Sequence, residues 1–86
     1  MLDQNYGYYK RTPHGIVRID YKNHIAEIFS VPEGRWEKNP KYLGIIYGGD
    51  EMMDWDKVSI EEAEETYADA INLSQEFRRK HGKQKG

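Results

Sequence analysis

The sequence predicts an α+β fold: a three-stranded antiparallel β-meander at about 6–11, 16–21 and 24–31, a short helix at about 40–47, and a long C-terminal helix at about 60–81 packed on one sheet face. Three observations carry this expectation. The N-terminal part alternates apolar and polar residues with period two and is broken by turn residues, as half-buried strands are. Only one long stretch has helical periodicity, and both of its ends are marked by capping residues.

The first strand, 6–11, is turned by Thr12-Pro13-His14-Gly15. A four-residue loop there sets Tyr8 against Ile19, Tyr6 against Tyr21 and Lys10 against Val17. It is preferred to a three-residue loop, which turns Tyr9 and Arg11 inward. The second and third strands fold back at Lys22-Asn23, placing Tyr21 opposite His24, Ile19 opposite Ala26 and Val17 opposite Ile28 on one face. The same register sets Arg18 opposite Glu27 on the other face, a pair worth about 0.2–1 kcal/mol. A slip of one residue destroys both relations at once. The expected core face is Tyr6, Tyr8, Val17, Ile19, Tyr21, Ala26 and Ile28.

Pro32-Glu33-Gly34 ends the sheet, and Trp36 is expected in irregular chain. Asn39-Pro40 reads as an N-cap followed by proline at the first helical position. Tyr42, Leu43, Ile45, Ile46 and Tyr47 follow at helical spacing, with Gly48-Gly49 as the stop. A fourth strand at 42–47 is the alternative, because Ile and Tyr favour strands and Gly44 weakens a helix by about 1 kcal/mol. Residues 49–57 form an acidic connection in which Met52, Met53 and Trp55 fold back over the core.

The long helix opens on Ser59 and Glu62, spaced as a capping box, with Val58 and Ala63 placed as a hydrophobic staple. Glu61, Glu62, Glu64 and Glu65 sit at the positive end of its dipole, and Arg78, Arg79, Lys80 and His81 at the negative end before Gly82. Ile60, Ala63, Tyr67, Ala70, Ile71, Ser74 and Phe77 share one side, with Leu73 at its margin. Residues 1–82 read as one small domain, and the basic tail 83–86 as disordered.

With 86 residues, the chain buries only about 60–65% of its unfolded surface, which leaves little room for a deep pocket. It has no cysteine, so neither disulfides nor thiolate metal sites are available, and a reducing compartment suits it. The N-terminus lacks the pattern of a signal peptide, and no apolar run approaches the length of a membrane span. A cytoplasmic location is expected. The net charge of −2 hides an asymmetry: residues 50–69 hold nine acids against Lys57, whereas Arg78, Arg79, Lys80, Lys83 and Lys85 follow Ala70 against Glu76. Most of this polarity answers the helix dipole.

No catalytic, metal or cofactor constellation stands out. His14, His24 and His81 have no second ligand at metal spacing. Asp50, Glu51, Asp54 and Asp56 do not match a calcium loop. Ser30, Ser59 and Ser74 lack a nucleophile-elbow setting, and Gly48-Gly49 follows a helix rather than opening one. The Asn72-Leu-Ser74 sequon lies within a helix and reads as chance. An enzyme is therefore not expected.

The second sheet face carries Tyr9, Arg11, Ile16, Arg18, Asp20, Ile25, Glu27, Phe29 and Val31, which is more apolar than a solvated face. Either the segment after the sheet covers it, or it is an interaction patch. The leading expectation is a small non-enzymatic interaction protein whose candidate partner-binding residues are Tyr9, Arg18, Phe29, Trp36 and Trp55, in its simplest form a homodimer through that face. The alternative is a nucleic-acid-binding accessory protein using Tyr9, Lys10, Arg11, His14, Arg18 and Lys22. Against it, residues 1–30 hold four Lys or Arg against three acids, far from a basic domain.

Overall fold

The computed structural model describes residues 2–11, 14–48 and 54–82. Thr12 and Pro13 of the first turn, residues 49–53 with Met52 and Met53, and the tail 83–86 lie outside the described residues. The chain is α+β: an antiparallel sheet of five strands with a C-terminal helix. The strands are β1 (Gly7–Arg11), β2 (Gly15–Asp20), β3 (Ile25–Ser30), β4 (Arg35–Lys38) and β5 (Asp56–Val58), in sheet order β4-β3-β2-β1-β5. A 3-10 turn (Pro40–Leu43) runs into one turn of helix, α1 (Gly44–Tyr47), and α2 (Ile60–Gly82) closes the chain.

The β2–β3 hairpin has the expected register, with Val17 against Ile28, Arg18 against Glu27 and Ile19 against Ala26. Its turn is fastened by Asp20, whose carboxylate accepts from the backbone amides of Lys22 and Asn23 at 3.1 and 3.2 Å and from Asn23 Nδ2 at 2.8 Å. These bonds, the Asn23 side chain first, hold the Asp20 carboxyl below its ordinary pKa. His24 takes a left-handed φ of 57° to complete the turn, a conformation uncommon outside glycine.

Two strands exceed the expected meander. Trp36, expected in irregular chain, lies in β4 opposite Phe29. Gly34, with φ 69°, makes the turn into β4, and its amide donates to the Ser30 carbonyl at 2.7 Å. Asp56-Lys57-Val58, expected as connection, pairs with β1 through Tyr8 and Val58.

The β1 register differs from expectation by one residue. Gly15 pairs with Arg11 and Val17 with Tyr9, so the turn is the three-residue one. Tyr8 consequently shares a face with Ile16, and Tyr9 with Val17. The reason is that both faces are buried: Tyr8 is 2% and Tyr9 8% exposed. When neither face meets water, alternation cannot say which of two adjacent tyrosines goes where.

α2 also lies on the face opposite to the one expected. It packs against Tyr8, Ile16 and Phe29, presenting Ala63 and Ala70, with Leu2, Trp36, Val58, Ile60, Tyr67 and Ile71 around them. The opposite face, Tyr9, Val17, Ile19 and Ala26, is covered by Trp55, Tyr42, Leu43, Ile45 and Ile46. Side-chain size explains the division. The buried stripe of α2 is Ala63, Thr66, Ala70 and Ser74, all small, which suits a face already filled by Tyr8, Ile16 and Phe29.

Both local helix signals are present. Asn39 Oδ1 accepts from Lys41 N at 3.1 Å, with Pro40 at the first position, and the Gly48 amide donates to Gly44 O. Ser59 Oγ caps α2 by accepting from Glu62 N at 3.2 Å. The Glu62 carboxylate itself pairs with Lys10 Nζ at 2.8 Å across to β1. Gly34 and Ser74 meet where α2 crosses the β3–β4 turn: a Cβ on Gly34 would lie 3.0 Å from Ser74 Oγ and 3.0 Å from Arg78 Cζ.

Ser74 Oγ is buried and has no hydrogen-bond partner among the described residues. An unsatisfied buried hydroxyl is costly, and alanine is the better helix former, so Ser74→Ala should stabilise the chain by about 1 kcal/mol. Gly34→Ala, which adds both backbone strain and crowding at the same crossing, should destabilise it by at least about 1 kcal/mol. Urea denaturation of the two variants checks the pair; a Ser74→Ala chain weaker than wild type contradicts the reading.

Candidate functional site

The five residues expected to form one partner-binding patch are divided between the two sheet faces. Arg18, Phe29 and Trp36 come together beneath α2, while Tyr9 and Trp55 lie on the opposite face. Phe29 and Trp55 are 7% and 8% exposed. Ile16 and Phe29 of the expected second face are therefore covered within the chain by α2, whereas Tyr9 lies under Trp55 and the short-helix segment.

Beneath α2 the arrangement is built around Arg18. β2 and β3 place its guanidinium directly beside Glu27, Nε donating to Oε1 at 2.7 Å. The plane is held between the rings of Trp36 and Tyr6, 4.3 and 4.7 Å from their centroids. The two side chains of the pair are only 21% and 18% exposed. Trp36 in turn stacks on Tyr67 of α2 at 5.5 Å, and Phe29 meets both rings edge-on at 5.3 and 5.6 Å. Each such aromatic contact contributes about 0.5–1.5 kcal/mol beyond burial. The charge of Arg18 is thus consumed locally, by one carboxylate and two rings. Trp36 was expected as an anchor and Tyr67 on the apolar side of the long helix; what the sequence did not show is that β4 and α2 bring their rings together.

On the other face, Tyr21 lies across Gly7, where any Cβ would overlap its ring. That close approach lets the Tyr21 and Tyr9 hydroxyls meet at 2.7 Å. Tyr42 packs edge-on against Trp55 at 5.6 Å. Trp55 Nε1 and His14 Nδ1 are buried without a hydrogen-bond partner among the described residues. At the end of α1, the Tyr47 hydroxyl lies 2.7 Å from His24 Nδ1, tying the short helix to the β2–β3 turn.

The acidic stretch is partly neutralised by β1. Besides Lys10 with Glu62, Arg11 lies 3.7 Å from Asp54, and Glu64 Oε2 accepts from the Leu2 amide at 3.2 Å. Glu62 holds the Lys10 ammonium above its ordinary pKa. Glu61, Glu65 and Asp69 are exposed and have no ion pair among the described residues. No group of three or more His, Asp or Glu side chains among the described residues is placed to hold a metal ion. No helix among them is long and apolar enough to cross a membrane.

Comparison with protein-family models, curated proteins and solved structures finds no match. The functional reading therefore rests on the molecule's own surface. Most of α2 is exposed or half-buried. Its buried stripe ends at Ser74, and every described residue from Gln75 to Lys80 is exposed. The helix has 23 residues, about 34 Å at 1.5 Å per residue, and the molecule measures 44 × 24 × 23 Å.

Two measurements check this geometry. Arg18→Lys keeps the charge but loses the planar fork and stack, and should destabilise the fold by about 1–2 kcal/mol. Replacing the pair together, Arg18→Met with Glu27→Leu, should recover most of that loss. A double variant no more stable than Arg18→Lys in thermal denaturation argues against the pair's desolvation cost.

The second concerns alkaline pH. Burial pushes the Tyr8 hydroxyl up to about 12 from 10.0, and burial together with the Tyr21 hydrogen bond raises Tyr9 as well. Both keep their protons in the folded chain where the unfolded chain loses them. Their contribution is fully present below pH 10 and is lost as pH rises toward about 12. A tyrosinate absorbance titration run beside circular dichroism should show some of the seven tyrosines ionising only as the fold is lost. All of them titrating together with the fold intact contradicts it.

Proposed function

We propose that this chain is a small cytoplasmic protein-interaction module without catalytic activity of its own, docking its partner along the outer side and C-terminal end of α2. The observation that supports this is the exposure of α2 after Ser74, where every described residue from Gln75 to Lys80 is exposed. The buried stripe of α2 ends at Ser74, and beyond it the helix meets the body at the β3–β4 turn, where Arg78 lies against Gly34, while its outward side stays open. A long helix with an open outward side offers a rigid, amphipathic surface, the form in which helices are commonly recognised. Its exposed charges are ordered, with Glu61, Glu65 and Asp69 toward one end and Arg79 and Lys80 toward the other. They would orient a partner more than they would tighten its binding. The absence of cysteine fits a reducing compartment.

The expected outcome is that immobilised wild-type chain retains a specific partner from a lysate of its source. Reversal of Arg79 and Lys80 to glutamate should reduce that retention by about tenfold while leaving the thermal midpoint unchanged. Equal retention by both chains removes the C-terminal end of the helix from the proposal. Retention of nothing beyond an unrelated control chain removes the proposal itself.

A further inference from the structure

We infer that the partner of α2 is a second copy of this chain, docked antiparallel about a two-fold axis at Ile71. This names the partner for the interaction reading above and rests on it. The flank of α2 concerned is Glu64, Tyr67, Ala68, Ile71, Gln75 and Arg78, which recur three or four residues apart and so form one strip. Every one of them is exposed or half-buried. Glu64, Tyr67, Ala68 and Ile71 line a shallow apolar groove together with Leu2.

Charge complementarity selects the occupant. Glu64 precedes Ile71 by seven residues, and Arg78 follows it by seven. Each therefore stands about 10.5 Å from Ile71 along the axis. A two-fold operation that places Ile71 on Ile71 and reverses the helix brings Glu64 of each copy to Arg78 of the other. Two identical ion pairs form from one self-complementary surface, as a two-fold interface requires. A parallel pairing instead sets glutamate against glutamate and arginine against arginine. The helix dipoles give the same preference, since the antiparallel arrangement places positive end beside negative end.

The small side chain at the middle of the strip permits the approach. Ala68 is exposed and lies one turn from the axis, so the two helices can approach closely beside the Ile71 pair. Among the described residues Arg78 has no ion-pair partner of its own; its guanidinium rests against the Gly34 turn. Glu64 uses one carboxylate oxygen for the Leu2 amide, which leaves the other for a partner. One helical strip per copy is a small contact area, so the association is reversible and salt-sensitive, not obligate.

Sedimentation velocity of the purified full chain tests this over a wide concentration range. Dimer should accumulate with concentration and fall away with added salt. Ala68→Arg, at an exposed position, should weaken association by about tenfold or more, and so should Arg78→Glu. Combining Glu64→Arg with Arg78→Glu restores both pairs with their signs exchanged and should recover association to near the wild-type constant, each variant first shown by circular dichroism to be folded. If Ala68→Arg fails to fold, the charge exchange alone decides. A chain monomeric at the highest concentration, or a dimer that the charge exchange fails to restore, overturns the proposal. A monomer that still binds a different protein through α2 overturns the dimer and leaves the interaction reading in place.

Discussion

The sheet is organised by one cross-strand pair. Arg18 against Glu27 fixes the β2–β3 register, and that register decides which residues face each way across the central strands. Because side chains alternate, it commits Ile16 and Phe29 to one face and Val17, Ile19 and Ala26 to the other. The pair also survives burial only because its surroundings accept it. Two aromatic rings take the faces of the guanidinium, and the carboxylate is met by a charge-assisted hydrogen bond at 2.7 Å. Trp36 is needed for one of those rings, so β4 must pair with β3, and Tyr67 of α2 then closes over Trp36.

A sheet apolar on both faces must be covered twice, and a short chain has few residues with which to do it. The solution here assigns covers by size. The long helix contributes a stripe of small residues over bulky strand side chains, whereas the segment from Pro40 to Tyr47 contributes Tyr42, Leu43, Ile45 and Ile46 over Val17, Ile19 and the small Ala26. Trp55 extends the second cover toward Tyr9. The Asn39 amide, donating to the Ala26 carbonyl at 2.9 Å, anchors that cover to β3.

How much of this was legible depended on whether two independent signals agreed. In the central hairpin the apolar face and the Arg18–Glu27 pair demanded the same register, and the structure has it. In α2 the Ser59 cap, the dipole-matched charges and the apolar spacing agreed, and its extent followed. For β1 only alternation was available, and Tyr8 and Tyr9 are interchangeable to that criterion when both are interior. β4 and β5 have four and three residues, too short for periodicity to register, so their existence came from pairing partners distant in sequence. Of the candidate anchors, three are buried in the chain itself. Tyr9, Phe29 and Trp55 are the residue types that interfaces favour, but the same types fill cores, and composition does not distinguish the two.

Those short outer strands have a consequence for the molecule in concentrated solution. A sheet presents unpaired backbone groups along both of its margins, and such margins template the addition of foreign strands. Here one margin is β4, with Arg35, Glu37 and Lys38, and the other is β5, with Asp56 and Lys57. Each offers only a turn-length of ladder, and each is studded with charge. Short length and charge therefore disfavour edge-to-edge growth into extended aggregates at both margins.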